Sequence, residues 1–291
     1  MNRPGLLEPG YKKNTLFADH DPGKMAEEAS SASSSSMGSR MKSYERASNE
    51  LVINEASPCI IRLDGHRFST WTRGFRKPFD ERLHLTFCAT CEDLLRYFNG
   101  ATAVYYQSDE ITIVFPEGLC MFSGRVQKIA TIAASYASAR FNHHLAAFVP
   151  DAPPTKSGTA HFDGRVFNVP SKEELLNNIM WRCRTDCRRN SKSQFARQHL
   201  PQKQLLHKTS DEQVMLVAEK TDVDYDCSVP EWAKNGTTFK KCLEHQIHEN
   251  KKTQMPEVCK RTKIMRLCVF YERFSKALLD MLISKYHTVV E

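Results

Sequence analysis

The chain has 291 residues, enough for one or two domains with a sizeable core, which excludes a disulfide-stapled miniprotein. Apolar residues make up 41%, no run approaches the roughly 18 apolar residues of a membrane span, and the N-terminus lacks the apolar core of a secretory signal, so a cytoplasmic protein with no membrane association is expected. The net charge of +7 admits a polyanionic partner without identifying one, and the ten cysteines, showing no regular framework, read as reduced thiols.

Residues 1–45 combine Pro, Gly, charge and the serine cluster Ser30 to Ser36 with no apolar period, which reads as a disordered leader. Glu8, Asp19, Asp21, Glu27 and Glu28 argue against an Arg-rich transit peptide, although the Ser richness leaves mitochondrial import open. Cys59 to Leu63 is a short apolar run ending at Asp64-Gly65, a buried strand closing in a turn. Asp80 can cap a helix whose apolar positions Leu83, Phe87, Cys91, Leu94 and Phe98 keep helical spacing until Asn99-Gly100 stops it.

Two β-rich runs, 102–106 and 111–115, flank Gln107-Ser108-Asp109-Glu110 and suit a hairpin. A second helix is expected from about Phe122 to Leu145, then a strand over 160–167. The order β-α-β-β-α-β is the split βαβ, ferredoxin-like unit, an α+β fold with a four-stranded antiparallel sheet under two helices. A helix opening at Ser171 and running to about Arg197, then a polar stretch, then a C-terminal helix over about Ile264 to Tyr286, complete the expectation. The resulting division is a leader (1–45), a catalytic core resembling a polymerase palm (46–170) and an extension with a basic helix (171–291).

In that topology Asp64 and the Asp109-Glu110 turn converge at one sheet edge. Paired carboxylates suit Mg²⁺, which is usually held by one or two carboxylates plus substrate phosphates, and Lys77, Arg125 and Lys128 supply cations for such phosphates. Turn chemistry alone would also place Asp and Gly at these positions, so spacing leaves the two readings balanced. Between 181 and 210, eight cations stand against Asp186 alone, which fits either a solvated face or a phosphate backbone. His84, Cys88 and Cys91 have the spacing to seed a zinc site, but Cys91 falls on the core face and packed thiols are the simpler reading.

Five segments taken together, Ile61-Arg62-Leu63-Asp64-Gly65, Lys77-Pro78-Phe79-Asp80-Glu81-Arg82, Gln107-Ser108-Asp109-Glu110, His161-Phe162-Asp163-Gly164-Arg165 and Trp181-Arg182-Cys183-Arg184-Thr185-Asp186-Cys187, resemble the tRNA-His guanylyltransferase superfamily of 3′-to-5′ RNA polymerases in order and spacing. The resemblance covers about residues 42–245. It implies a catalytic group of Asp64, Asp109 and Glu110, with two Mg²⁺ ions coordinated by Asp64, the Gly65 carbonyl and Asp109. It further implies an NTP site, for ATP, GTP and other NTPs, formed by Asp64, Gly65, His66, Arg67, Phe68, Ser69, Lys77, Asp80, Ser108, Asp109, Arg125 and Lys128.

The same resemblance implies tRNA as partner, contacted by Arg184, Arg188, Arg189, Asn190, Lys192 and Arg197, and a homo-oligomer, by family likeness a tetramer. Where the tRNA-His-specific branch has His-Ile-Asn-Asn after the Asp-Cys pair, this chain has Arg188-Arg189-Asn190-Ser191, which is similar to the guanylyltransferase-like branch that repairs 5′-truncated tRNAs under template control. Ser69 stands where the family commonly has His. Non-templated G addition to tRNA-His, a catalytically silent RNA-binding protein and a nucleotide cyclase are the competing readings. The last would not need the basic helix.

Overall fold

The computed structural model describes residues 36–47, 50–249 and 255–287. The leader up to residue 35, Ser30 to Ser35 included, lies outside the described residues. The described end of that leader forms α1 (Met37–Ala47), a helix with no buried residue, in a unit that ends at Glu50; Leu51–Glu291 make the second unit.

The second unit is built on β1 (Cys59–Gly65), α2 (Glu81–Tyr97), β2 (Ala103–Gln107), β3 (Glu110–Phe115), α3 (Val126–Phe148) and β4 (Phe162–Asn168). All pairings are antiparallel and the strands lie in the order β4-β1-β3-β2, the ferredoxin-like arrangement expected for the α+β palm. Strand alternation sorts the two faces. Ile61, Leu63, Val104, Ile111 and Ile113 pack against α2 and α3, while Ile60, Ala103, Tyr105 and Val114 pack against the elements that follow β4. Asp80 opens α2 as predicted, accepting from the Arg82 backbone N–H at 3.0 Å.

The helix expected from Ser171 to Arg197 exists but is not uniform. It comprises α4 (Lys172–Trp181), a π-helical segment over Arg182–Cys187 and α5 (Arg188–His199). The wider π turn buries both Cys183 and Cys187, whose thiols face the carbonyls of Asn235 and of Ala233 and Lys234. Helix α6 (Ser210–Thr221) packs on α5 through a small separate core that includes Phe195, Val217 and Tyr225.

The C-terminal expectation needs correction. Residues 264–267, read as the start of a helix, belong to β6 (Pro256–Leu267), which pairs along its length with β5 (Thr237–Glu249) and widens the sheet to β4-β1-β3-β2-β5-β6. Only α7 (Lys276–Ile283) is helical. The apolar spacing of Ile264, Leu267 and Phe270 fits a helix, but Ile264 sits opposite Lys241 and packs on the α2–α3 side of the sheet, so strand pairing decides the conformation. Lys240 is buried on the other face. Its ammonium donates to the carbonyls of Leu282 (3.2 Å) and Ser284 (2.5 Å), holding the end of α7 against the sheet.

Among the described residues no helix is long and apolar enough to cross a membrane. His84, Cys88 and Cys91 do not form a zinc site. Cys91 is fully buried, burial pushes the Cys88 thiol up to about 12, and no group of three or more metal-ligating side chains occurs among the described residues.

Candidate active site

β1 and the β2–β3 hairpin deliver the carboxylates to one place. Asp64 is the Cα partner of Glu110 on β3 and of Asp163 on β4, so three acids occupy one row of the same sheet face. The hairpin turns through Ser108 and Asp109, Ser108 taking a left-handed φ of 55°, and Gln107 and Glu110 are strand residues on either side. The Gly65 N–H donates to the Asp109 carbonyl at 3.0 Å, tying the end of β1 to the turn.

A Cβ at position 65 would lie 2.4 Å from the buried Phe68 ring, so any larger residue there forces that ring or the strand end to shift. His66 follows, its N–H donating to the His161 carbonyl and its ring stacked on His161 at 4.9 Å. Arg67, at φ 52°, starts the single helical turn Phe68–Trp71.

Burial pushes the Asp109 carboxyl up to about 6, with the Asp64 charge as the next contribution. Asp64 is also raised, by burial first and then by Asp163, against the opposing pull of Arg165, Arg62 and Arg182. Asp109 therefore resists ionising beside Asp64, and Asp64 beside Asp163, which a cation among these carboxylates would relieve. Burial raises the Glu110 carboxyl too, against the opposing pull of Arg182, but Glu110 differs in having a cationic hydrogen-bond partner. It is buried, and Arg182 from the π segment donates Nε to its Oε1 at 2.6 Å and Nη2 to its other oxygen. The same guanidinium places Nη1 2.5 Å from Asp186 Oδ2, an ion pair without hydrogen-bond alignment, and Arg189 donates to Asp186 Oδ1 at 2.8 Å.

A cleft of about 740 Å³ opens beside the turn. It gathers Phe68, Ser69, Lys77, Asp80, Ser108 and Asp109 with Arg189, Asn190 and Arg197 of α5. Asp80 lines it with an engaged carboxylate. Burial raises that carboxyl, but the bonds from Arg82 and from the backbone N–H groups of Arg76 and Arg82 outweigh burial and hold it below the ordinary range.

Several expected members stand elsewhere. Asp64, Gly65, His66, Arg67, Arg125 and Lys128 do not line the cleft, the first four standing at and just beyond the end of β1. Arg125 bridges to Val52, in the segment that leads into the Cys59 end of β1, with its Nε on the Phe122 carbonyl, and the Lys128 ammonium lies over the Phe122 ring. The six expected RNA contacts divide between two faces. Asn190 and Arg197 line the cleft, Arg184, Arg188 and Lys192 line a second groove on the far side, and Arg189 lines both.

Two features were not singled out from sequence. One is the Arg182–Glu110 pair, whose partners are 72 residues apart and meet only through packing of the basic helix on the sheet, so that sequence spacing carries no signal for it. The other is the aromatic wall of the cleft, where Trp232 stacks on His84 at 4.1 Å and 10° and meets Phe79 edge-on. Trp232 carried no such signal because His84 reaches it only through the packing of α2.

A family model described as Thg1: tRNAHis guanylyltransferase matches residues 38–170. The chain is 33% identical over 229 residues to an uncharacterised protein of Acanthamoeba polyphaga mimivirus, covering 71% of this chain and 77% of that one. It is 30% identical over 134 residues to a tRNA(His) guanylyltransferase of Neurospora crassa, 45% of each chain, so it spans about half the length of that named guanylyltransferase. Among solved structures, a bacterial tRNA(His) guanylyltransferase-like protein in complex with ATP superposes with a TM-score of 0.63 at 33% identity, over 77% of this chain and 91% of that one. A structure of such a bacterial protein in complex with GTP gives 0.58 at 30% identity, over 79% and 91%. The chain belongs to the tRNA-His guanylyltransferase superfamily, a family of nucleotidyltransferases.

Proposed function

We propose that the protein adds nucleotides to the 5′ end of tRNA in the 3′-to-5′ direction, in the template-dependent manner of 5′-end repair. The observation that carries this reading is the pair Asp64 and Asp109, each raised by burial and Asp109 further by the charge of its neighbour, beside a cleft lined by Lys77, Arg189 and Arg197. The donor set fits Mg²⁺. Two carboxylates plus the Gly65 carbonyl supply hard oxygen ligands, and their small number suits an ion that keeps water and arrives with phosphates. Bound there, two such ions would acidify the attacking hydroxyl and neutralise charge on the leaving phosphates.

In the reaction the 3′-hydroxyl of the incoming nucleotide attacks the α-phosphorus of an activated 5′ end. A new P–O bond forms, the bond to the leaving phosphate group breaks, and the hydroxyl proton passes to solvent. The chain's own residues position these groups. Ser69 and Ser108 offer hydroxyls to the nucleotide, Lys77 offers a cation to its triphosphate, and Arg189 and Arg197 face the incoming RNA end from the opposite wall. The similar bacterial protein is in complex with ATP in one structure, which supports an NTP as substrate. The Arg188-Arg189-Asn190-Ser191 sequence favours repair over the tRNA-His-specific reaction, and a homo-oligomer is part of the same reading.

Incubation with Mg²⁺, all NTPs and a 5′-triphosphorylated tRNA lacking its first nucleotide tests the proposal. Addition of the nucleotide complementary to the opposing base supports it. Addition of G regardless of that base would favour the tRNA-His reaction, and no addition with tRNA bound would leave an RNA-binding protein.

A further inference from the structure

The second groove, about 750 Å³ in volume, lies outside the nucleotide cleft and carries an aromatic ring at its rim. Trp181 closes α4 with 51% of its surface exposed, whereas Trp71 is buried and Trp232 is half-buried in the cleft. An indole left in water on a helix surface is costly, and this one is not loose. The Arg182 guanidinium lies 4.9 Å from its ring centroid, and that guanidinium is fixed from behind by Glu110 and Asp186. The ring is thus braced by a cation already immobilised in the active-site network.

The surroundings define what the ring can receive. Arg184 is exposed and has no ion-pair partner among the described residues, Lys192 forms its ion pair with Asp211, an exposed acid of the same groove, and Arg188 lines it too, with its guanidinium over the Phe270 ring and bonded to Asn235. Cations around an exposed indole match a polyanion that presents flat rings. Paired bases in a duplex are already stacked on one another and offer protein only backbone and groove edges, so a surface indole gains nothing from them. An unpaired nucleotide offers a free π-face and a phosphate on either side.

We propose that Trp181 is the stacking platform for an unpaired RNA base, with Arg184 and Lys192 holding the phosphates that flank it. The inference rests on the reading that RNA is the substrate and adds to it the strand state recognised on the far face of the basic helix. Nucleotide addition occurs in the other cleft, so this groove engages a single-stranded segment of the RNA while the paired 5′ end is at Asp64 and Asp109.

The test compares two RNA hairpins of identical stem, one blunt and one with a four-nucleotide single-stranded 3′ extension, binding to the full chain. The extended hairpin should bind the wild type about tenfold more tightly and quench its tryptophan fluorescence. Trp181→Ala should erase that preference, and Trp181→Phe should keep most of it. Arg184→Ala should weaken binding of the extended hairpin and reduce its salt slope by about one. A preference that survives Trp181→Ala would overturn the inference while sparing the RNA reading, and absence of binding by either hairpin would overturn both. A change in oligomeric state on Trp181→Ala with no change in RNA preference would assign the patch to contacts between copies of the chain and also overturn it.

Discussion

Arg182 holds both carboxylate oxygens of Glu110, and in doing so joins the first residue of β3 to the π segment of the basic helix. The pair is buried on both sides, with 15% of the Arg182 side chain and 5% of the Glu110 side chain exposed. A bidentate pair in such a place fixes geometry more than it adds net stability, but removing one partner strands a charge. Arg182→Met should therefore cost about 3–5 kcal/mol in urea unfolding, and the double variant with Glu110→Gln should recover most of it. Equal losses in the single and double variants would show that the pair contributes nothing specific.

Glu110, implied by family likeness to be catalytic, is occupied by that guanidinium, whereas Asp64 and Asp109 have no cationic hydrogen-bond partner among the described residues. Asp64→Asn and Asp109→Asn should each reduce nucleotide addition by about 10²–10³-fold, the equivalent of several kcal/mol of charge stabilisation, with tRNA affinity nearly unchanged. Glu110→Gln should retain far more activity than either. Single-turnover addition to a triphosphorylated tRNA measures the difference, and comparable loss in all three would return Glu110 to the reacting group.

The palm and its carboxylates were legible because they depend on local pattern. Short apolar and β-rich runs bounded by turn residues mark β1 to β3, the Asp80 cap fixes α2, and a two-residue turn puts Asp109 near Asp64 through strand pairing alone. The rest depends on contacts distant in sequence. Ile264 and Leu267 have helical spacing and become a strand because β5 supplies a partner edge, and Arg125 and Lys128 look like phosphate ligands until the bridge between Val52 and Arg125 is seen to hold that helix end elsewhere. The basic helix reads as one cationic stretch. Its division into two faces follows helical spacing, Arg184, Arg188 and Lys192 standing four apart on one side and Arg189 and Arg197 eight apart on the other, but which side meets the cleft is decided by packing distant in sequence.

Gly65 joins the site to the core. A methyl at its Cα would press on the Phe68 ring, which also packs on Trp71, Phe87, Phe141 and Phe162. Gly65→Ala should destabilise the fold by about 1–3 kcal/mol through overpacking and shift the peptide whose N–H is bonded to the Asp109 carbonyl. Urea unfolding reads the first effect. A variant as stable as wild type would mean that Phe68 can move aside.

His84 makes the aromatic wall of the cleft sensitive to acid. Burial, then the nearby Arg266 charge, lowers its pKa from 6.5 to about 4, and its ring is sandwiched between Trp232 and Tyr106. Below 6.5 the unfolded chain takes up this proton and the folded chain does not, so the unfolded state binds more protons and folding stability falls as pH drops from 6.5 towards 4. Below that the contribution is fully lost and the dependence levels off. The shift corresponds to at most about 3 kcal/mol. Carboxylates titrate in the same window, so the informative quantity is the difference between the wild type and His84→Phe, which keeps a ring against Trp232 but cannot be protonated. Urea unfolding of both proteins at pH 7.5, 6.0, 5.0 and 4.0 should show the wild type losing stability relative to the variant at each step down from pH 6.0. Parallel curves would mean that His84 accepts its proton in the folded protein as readily as in the unfolded chain, and that the stack with Trp232 does not depend on its neutrality.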